Sequence, residues 1–406
     1  MIRRPGPRLG RSSIRWGHRP ADGRRGPSAS IGILAVVAAT LTGCSASGSP
    51  SVGGTGGTVP AIPLASSTAA ATTSWATLAM GHLGDPLNTF WQLLALTGGS
   101  SWQLATPPGV ASNGGLALGL QPESVLVGFE PSQYLRFSPL AHSTDQGSSW
   151  DPGLLPAGLA AVPDALAGGT GGSLALLRTG GGALVASTTG LSTWRPVTTA
   201  RALARVPALS GCGVTALTAV AVDATRYALV GASCSRGGQA GLFAPSSTGW
   251  SSVGPGIPGL SGGPTEVIRL DQTSAGTAVL ASAGTGSSAR LYGMWSTNGL
   301  RTWTVSTGLP LDGAALLSTG VTAAGGFVVA TDGSGAGPTA SVITPTGSQW
   351  LALPAPPAGT TSVTGTPAGG FDALVPEGST LSVYGLDLGW GRVQTLRVDI
   401  RYGSSG

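Results

Sequence analysis

One tryptophan returns at similar intervals along most of the chain. From residue 75 onward these tryptophans are separated by 48, 44, 56, 53, 47 and 40 residues, at Trp102, Trp150, Trp194, Trp250, Trp303, Trp350 and Trp390. A period of about 40–50 residues with one fixed aromatic indicates copies of one supersecondary unit, each too small to bury its own faces. The chain must therefore fold as an array of similar units packed against their neighbours.

Composition indicates that these units are sheets. Gly (68 residues) and Pro (30 residues) together make up close to a quarter of the 406 residues, and both are poor in helix interiors. Short apolar or alternating runs bounded by Gly-rich turns lie between the tryptophans and are typical of strands, at 124–129, 173–177, 183–187, 217–222 and 227–232. We therefore predict an all-β chain with a β-propeller over residues 75–402. Seven tryptophans predict seven blades, with six as the alternative.

One copy of the repeat carries a recognisable motif. Ser143, Asp145, Gly147 and Trp150 fit the spacing Ser-x-Asp-x-Gly-x-x-Trp. This segment resembles the Asp-box, or bacterial neuraminidase repeat, of sialidase-like β-propellers, and the resemblance extends to bacterial lipoproteins with such propellers. It implies a hairpin between the third and fourth strands of a blade.

Two other segments, 187–194 and 296–303, keep the Ser and the Trp at the same spacing but carry Gly one position earlier. An Asp or Asn side chain in such a turn accepts hydrogen bonds from backbone N–H groups of the turn, and Gly supplies a positive φ. The Trp packs between blades. We therefore interpret the box residues as parts of the fold, not of a catalytic site.

The first 43 residues have the pattern of a lipoprotein signal peptide. A basic region is followed by 11 apolar residues at 31–41, too few to span a membrane. The sequence Leu-Thr-Gly then precedes Cys44, which resembles a bacterial lipobox. We expect Cys44 to be lipidated, the protein to be exported and anchored to the outer face of the cell membrane, and residues 44–74 to form a small-residue tether.

The basic charge of the chain belongs to this leader. Eight of the 21 Arg precede Cys44, opposed only by Asp22, so the remainder has 13 Arg against 15 acids. A net charge of −2 excludes a nucleic-acid partner on electrostatic grounds. No basic cluster stands out in the sequence, so we expect a neutral glycan or protein partner and a monomer.

Two cysteines remain after Cys44. Cys212 and Cys234 flank two predicted adjacent strands whose hairpin brings the ends together. In an exported protein this predicts a disulfide.

Catalysis finds little support in the sequence. Resemblance to sialidases implies three Arg that hold a substrate carboxylate, a Tyr that attacks the substrate after activation by a Glu, and an Asp that acts as acid and base. The early Arg-Ile-Pro signature is absent, and no spacing selects three such arginines; Arg136, Arg269 and Arg397 are one arbitrary set. No metal-ligand or cofactor spacing occurs. We therefore expect a binding or scaffold propeller, with a divergent sialidase-like glycoside hydrolase as the alternative.

The sequence also predicts how the ring would close. Only 27 residues separate the end of the tether from Trp102, fewer than a blade needs. We expect a strand within 393–402 to complete the first blade.

Overall fold

The computed structural model describes residues 65–398, with gaps at 70–71, 82–88, 99–100, 108–111, 121–123, 132–139, 152–162, 170–171, 178–181, 188–190, 192, 224–227 and 334. The described residues contain 28 strands, one short α-helix and two 3₁₀ helices. The prediction of an all-β chain is therefore confirmed. None of the helices in these residues is long and apolar enough to cross a membrane.

The strands form sets in which each strand pairs antiparallel with the next along the chain. The first three sets are β1 Ala65–Ala69, β2 Thr73–Gly81, β3 Thr89–Thr97 and β4 Trp102–Leu104; β5 Ser112–Leu120, β6 Val125–Pro131 and β7 Leu140–Ser143; and β8 Pro163–Gly169, β9 Gly172–Leu177, β10 Ala183–Ser187 and β11 Arg195–Thr199.

The later sets repeat this order, and the second of them has a fifth short strand that pairs with its third strand. They are β12 Val214–Ala221, β13 Leu229–Cys234, β14 Leu242–Ser246 and β15 Gly249–Ser252; β16 Thr265–Thr273, β17 Gly276–Ala283, β18 Arg290–Ser296, β19 Thr304–Val305 and β20 Leu309–Pro310; β21 Ala315–Val321, β22 Phe327–Gly333, β23 Gly337–Ile343 and β24 Leu351–Ala352; and β25 Ser362–Gly365, β26 Phe371–Glu377, β27 Thr380–Leu386 and β28 Trp390–Arg397.

Apolar clusters lie between neighbouring sets and close them into a ring. Each cluster joins one set to the next, from the β1–β4 set through to the β25–β28 set. A further cluster joins the last set to the first, with Leu374 and Val383 of the last packed with Leu78 and Trp102 of the first. A closed ring of antiparallel sheets, each covered by its neighbours, is a β-propeller. The predicted propeller fold is thereby supported.

Two innermost strands pair directly at the axis of the ring. β1 pairs in parallel with β21, from Ala65 opposite Ser318 to Thr68 opposite Val321. Both edges of β1 are thus hydrogen-bonded, because β2 occupies the other. The pairing joins two sets into one eight-stranded sheet, and β25 packs against both β1 and β21.

Two expectations about the ends of the propeller are corrected. The first set is completed by β1, not by a strand from the other terminus; residues of 393–397 belong to β28, which pairs with β27 in the last set. The strands also begin at Ala65, ten residues before the expected boundary at 75. The reason is that an innermost strand has small polar residues, the same composition that predicts a tether. Residues 398–402 of the expected closing segment are described only at Val398.

One helical connection interrupts the pattern of strands and turns. After β11 the chain forms α1 Ala200–Ala204 and a 3₁₀ helix at Pro207–Leu209 before β12 begins. The hydroxyl of Thr199 caps α1 by accepting a hydrogen bond from the Ala202 N–H at 3.1 Å. Leu203 and Leu209 are buried in the cluster between the β8–β11 and β12–β15 sets, and this contact fixes the connection against the ring.

Candidate functional site

The Asp-box hairpin is held by its own side chains. The Ser143 hydroxyl accepts a hydrogen bond from the Gly147 N–H at 2.8 Å, and Oδ1 of Asp145 accepts one from the Ser149 N–H at 2.8 Å. Oδ1 of Asp145 also accepts the Ser143 hydroxyl at 2.8 Å. The pKa of Asp145 is lowered, chiefly because the Ser149 hydroxyl donates to the ionised carboxylate. These contacts give both carboxylate oxygens of Asp145 hydrogen-bond donors from its own turn.

A second hairpin reproduces this geometry without the full motif. Ser296 accepts a hydrogen bond from the Leu300 N–H at 3.0 Å, and Oδ1 of Asn298 accepts one from the Thr302 N–H at 3.0 Å. The two hairpins also share two consecutive residues at positive φ, which are 59° and 83° at Gln146 and Gly147. The corresponding angles are 70° at Gly299 and 69° at the following residue. Gly can therefore stand at either position, which explains its shift in the degenerate copies.

Gly147 has a further packing role. A β-carbon placed there would lie 2.9 Å from the Trp75 ring, closer than two carbon atoms can stand without displacement. Trp150 packs into the same cluster as Trp75, between the β1–β4 and β5–β7 sets. The hairpin at 143–150 therefore packs the β5–β7 set against the preceding one.

All seven repeat tryptophans occupy equivalent places. Each packs in the cluster between its own set and the preceding one, and Trp102 packs in the cluster between the first set and the last. Two of the indole N–H groups donate backward to a carbonyl of the preceding set: Trp303 to Val253 at 3.0 Å and Trp390 to Pro354 at 2.9 Å. The tryptophans are therefore core residues of the ring.

Ring closure uses polar contacts centred on Trp102. Its indole N–H donates to Oδ2 of Asp372 at 2.8 Å. The Gln394 side chain accepts the Trp102 N–H at 2.8 Å and donates to the Trp102 carbonyl at 2.7 Å. Deeper in the ring, the Ser74 hydroxyl donates to the Gly365 carbonyl at 2.9 Å. Burial raises the pKa of Asp372, and the indole hydrogen bond opposes this shift only in part. Asp372 is buried at the junction of the last and first sets, so its carboxyl group has a structural role.

The axis of the ring holds one ion pair on β16. Nε of Arg269 donates to Oδ2 of Asp271 at 2.7 Å. The same guanidinium donates through Nη1 to the Thr319 carbonyl of β21 at 3.1 Å and through Nη2 to the Thr68 hydroxyl of β1 at 2.5 Å. Only 13% of the Arg269 side chain is exposed. Arg269 therefore ties three sets together where β1 and β21 meet.

Of the three arginines considered above for a sialidase-type site, the two that the structure describes lie apart. Arg269 lies on an innermost strand, whereas Arg397 ends the outermost strand β28, and Arg136 lies outside the described residues. Tyr384 accepts a hydrogen bond from Arg392 at 3.0 Å, again on the outer strands. The described residues also contain no group of three His, Cys, Asp or Glu that could hold a metal ion.

The predicted disulfide is present. Cys212 and Cys234 are bonded with their Cα atoms 4.9 Å apart, at the start of β12 and the end of β13, where Val214 pairs with Cys234. Cys44 lies outside the described residues, so its lipidation stays a prediction.

Sequence reasoning missed the axial contacts of Arg269 and the closure at Asp372. The partners of each are far away in the chain, 201 residues from Arg269 to Thr68 and 270 from Trp102 to Asp372. The one local signal for Arg269 was Asp271, two residues later in the same strand.

No protein-family model and no curated protein matches the chain. Among solved structures, it is similar to a putative 6-phosphogluconolactonase from Bacteroides uniformis, with TM-score 0.51, 12% identity, and coverage of 81% of this chain and 97% of that one. YCF48 bound to D1 peptide gives TM-score 0.45, 15% identity, and coverage of 82% and 95%. The six-bladed fucose-recognising lectin of Aleuria aurantia gives 0.38, 11%, 84% and 96%. At such identities the likeness concerns the fold alone, and the propeller assignment stands on the strand pairing and ring closure above.

Proposed function

We propose that this protein is an envelope-anchored lipoprotein whose β-propeller binds a glycan or a protein and catalyses no reaction. Residues 1–43 serve as the signal peptide, Cys44 carries the lipid, and the segment up to residue 64 links the lipid to the ring. The ring acts as a rigid monomeric scaffold, with no cofactor and no nucleic-acid partner. Its ends and rim present the turns between strands, which are the usual place for binding residues on such a scaffold.

The observation that carries the proposal is the engagement of Arg269. It is the single Arg on the innermost strands within the described residues, and Asp271 and the backbone of β21 already occupy it. The other acid of that strand, Glu266, lies five residues from Asp271, about 16 Å along the strand. A glycosidase holds its two carboxyl groups within about 10 Å. Glu266 and Asp271 are therefore too far apart along β16 to act together as a glycosidase pair, and the engagement of Arg269 supports a fold role, not hydrolysis.

We further propose seven blades. Each of the seven repeat tryptophans lies at one junction, six of them between consecutive sets and Trp102 between the last set and the first. A crystal structure that showed six junctions would contradict this count.

The function is tested with the purified mature chain. We expect saturable binding to at least one member of a glycan and peptide panel, and no release of fluorophore from sialosides or neutral glycosides. Turnover that disappears in the Asp271→Asn variant but persists in Asp387→Asn, an exposed residue of a hairpin, would overturn the binding proposal in favour of a hydrolase.

Anchoring is tested separately by mass spectrometry of the protein from membranes. We expect diacylglycerol on Cys44 and its loss in Cys44→Ala. An unmodified thiol in the membrane-bound wild type would contradict the anchor.

A further inference from the structure

The two ends of the ring are distinguished by strand direction. β1 and β21 run parallel, and every set repeats the same antiparallel order outward from its innermost strand. All innermost strands therefore begin at one end of the ring, which we call the N-terminal face. The chain enters β1 at Ala65 from this face.

The helical connection between β11 and β12 lies on the N-terminal face. The fourth strand of a set ends where the next innermost strand begins, so α1 and the 3₁₀ helix are placed there. The turn between β13 and β14 reaches the same face and contacts the connection, because Nη2 of Arg236 donates to the Ser210 carbonyl at 3.1 Å. The disulfide between Cys212 and Cys234 joins the two segments covalently. We call the connection at 200–212 and the turn after Cys234, joined by this disulfide, the stapled unit.

Three exposed arginines lie on this unit: Arg201, Arg205 and Arg236. In the part of the chain that the structure describes, none of them has a carboxylate within ion-pair distance. The stretch 195–250 contains five Arg and one acid, Asp223, which is buried in the turn at the opposite face. No basic cluster stands out in the sequence because these arginines are spread over 36 positions; the hairpin and the disulfide bring them onto one unit.

We propose that this arginine surface docks on the anionic headgroups of the membrane to which the protein is anchored. The guanidinium group suits phosphate geometry. The location suits a membrane on the proposed anchoring, because β1, the first described strand after Cys44, begins at the same face. Residues 45–64 separate Cys44 from that strand. The inference thus rests on the proposed lipid at Cys44 for its biological setting.

Acids and further arginines also lie on the N-terminal face. Asp312 follows β20, Asp332 lies in β22 and Glu377 ends β26, whereas Arg290 begins β18 and Arg397 ends β28. Glu266 of β16 pairs with Ser233 of β13, beside the stapled unit. The two segments of the stapled unit carry three exposed arginines and no acid, so the charge of the unit itself is positive.

The test uses the mature chain made without its leader and with Cys44→Ser, so that no acyl group contributes. Sedimentation is measured with phosphatidylcholine vesicles with and without phosphatidylglycerol. We expect binding to the anionic vesicles alone, and about 100-fold weaker binding when Arg201, Arg205 and Arg236 are all changed to Gln, since each Arg near an anionic leaflet contributes roughly a fivefold factor. Binding should also weaken with added salt.

The matched control changes Arg195, Arg301 and Arg392 to Gln. These exposed arginines lie in or after the hairpins of the opposite face, so the net charge changes equally while the N-terminal face is intact. Equal loss in both triple variants, or no vesicle binding by the parent chain, would overturn the docking surface. Binding of an anionic polysaccharide in place of the vesicles would overturn the lipid assignment. None of these results depends on acylation, so the anchor and the docking surface fail independently.

Discussion

Replacing Asp372 by Asn should stabilise the propeller at neutral pH. The carboxyl group of Asp372 is buried at the junction of the first and last sets, where Oδ2 accepts the Trp102 indole N–H at 2.8 Å. Asn keeps an oxygen acceptor of the same size and removes the charge, whose burial disfavours the folded state. Asp372→Ala removes the acceptor and leaves a buried indole N–H unsatisfied, which should lower the free energy of unfolding by about 1–3 kcal/mol.

The raised pKa of Asp372 also predicts how the stability difference between Asp372→Asn and the wild type changes with pH. Burial raises the pKa of Asp372 in the folded state above the ordinary value of 3.8. The stability that this group contributes is therefore fully present below pH 3.8 and is lost as the pH rises through the folded-state pKa. The advantage of Asp372→Asn over the wild type should be small in acid and grow toward neutrality.

Urea unfolding followed by tryptophan fluorescence measures these differences across pH. The matched control is Asp387→Asn, the same charge change at an exposed position of the same sheet, which should stay within about 0.5 kcal/mol of the wild type. If Asp372→Asn were as unstable as Asp372→Ala at neutral pH, the carboxylate charge would be required and the reasoning would be refuted. An unchanged Asp372→Ala would show that the junction does not depend on this hydrogen bond.

Three further perturbations test the other joints of the ring. Arg269→Gln should lower the free energy of unfolding by about 1–3 kcal/mol. The loss should be smaller than for a fully buried ion pair, because the partner Asp271 is partly exposed. Urea unfolding measures the loss, and an unchanged curve would contradict the role of Arg269 in joining three sets. Cys212→Ser with Cys234→Ser should cost about 3 kcal/mol by the loop-entropy estimate and open the α1 connection to protease, whereas the wild type should show no free thiol at either position after denaturation. Asp145→Asn should be tolerated, since Asn serves in the equivalent hairpin, while Asp145→Ala should lower the melting temperature; equal melts of the two variants would contradict the role of the side-chain acceptor.

The sequence predicted the junctions of the ring better than its axis. The repeat tryptophans could be assigned to blade interfaces because a large apolar residue that recurs once per unit is best buried between neighbouring units. The structure places all seven at such interfaces. The Cys212–Cys234 pair was predictable because a hairpin fixes the distance between its own ends. Both are local inferences, in which the residues that interact lie within one repeat or at equivalent points of neighbouring ones.

The shift of Gly within the box copies shows where motif matching fails. Gly147 and Leu300 hold the same backbone conformation at the same position, with φ of 83° and 69°. The motif encodes a backbone shape that Gly favours, and Gly at the neighbouring position, Gly299, relieves only part of the same strain. A pattern written in residue letters therefore scores the second hairpin as degenerate although its hydrogen bonds are those of the first.

The error at β1 has a different cause. The segment Ala-Ser-Ser-Thr-Ala of β1 and the segment Ser-Val-Thr-Gly of β25 consist almost wholly of small residues, and both lie where β1, β21 and β25 pack against one another. The same composition is typical of a linker, whose small polar side chains cannot order themselves by burial. What decides between strand and linker is the presence of partners, and the second partner of β1 is β21, about 250 positions later. Ser67, 1% exposed between these strands, is ordered by contacts that no local window contains. The correction bears on the proposed function, because with the ring starting at Ala65 ten fewer residues than expected lie between Cys44 and the first strand. If Cys44 carries the lipid as proposed, the anchor and the arginine surface would act on the same side of the ring, since β1 begins on the face that carries those arginines.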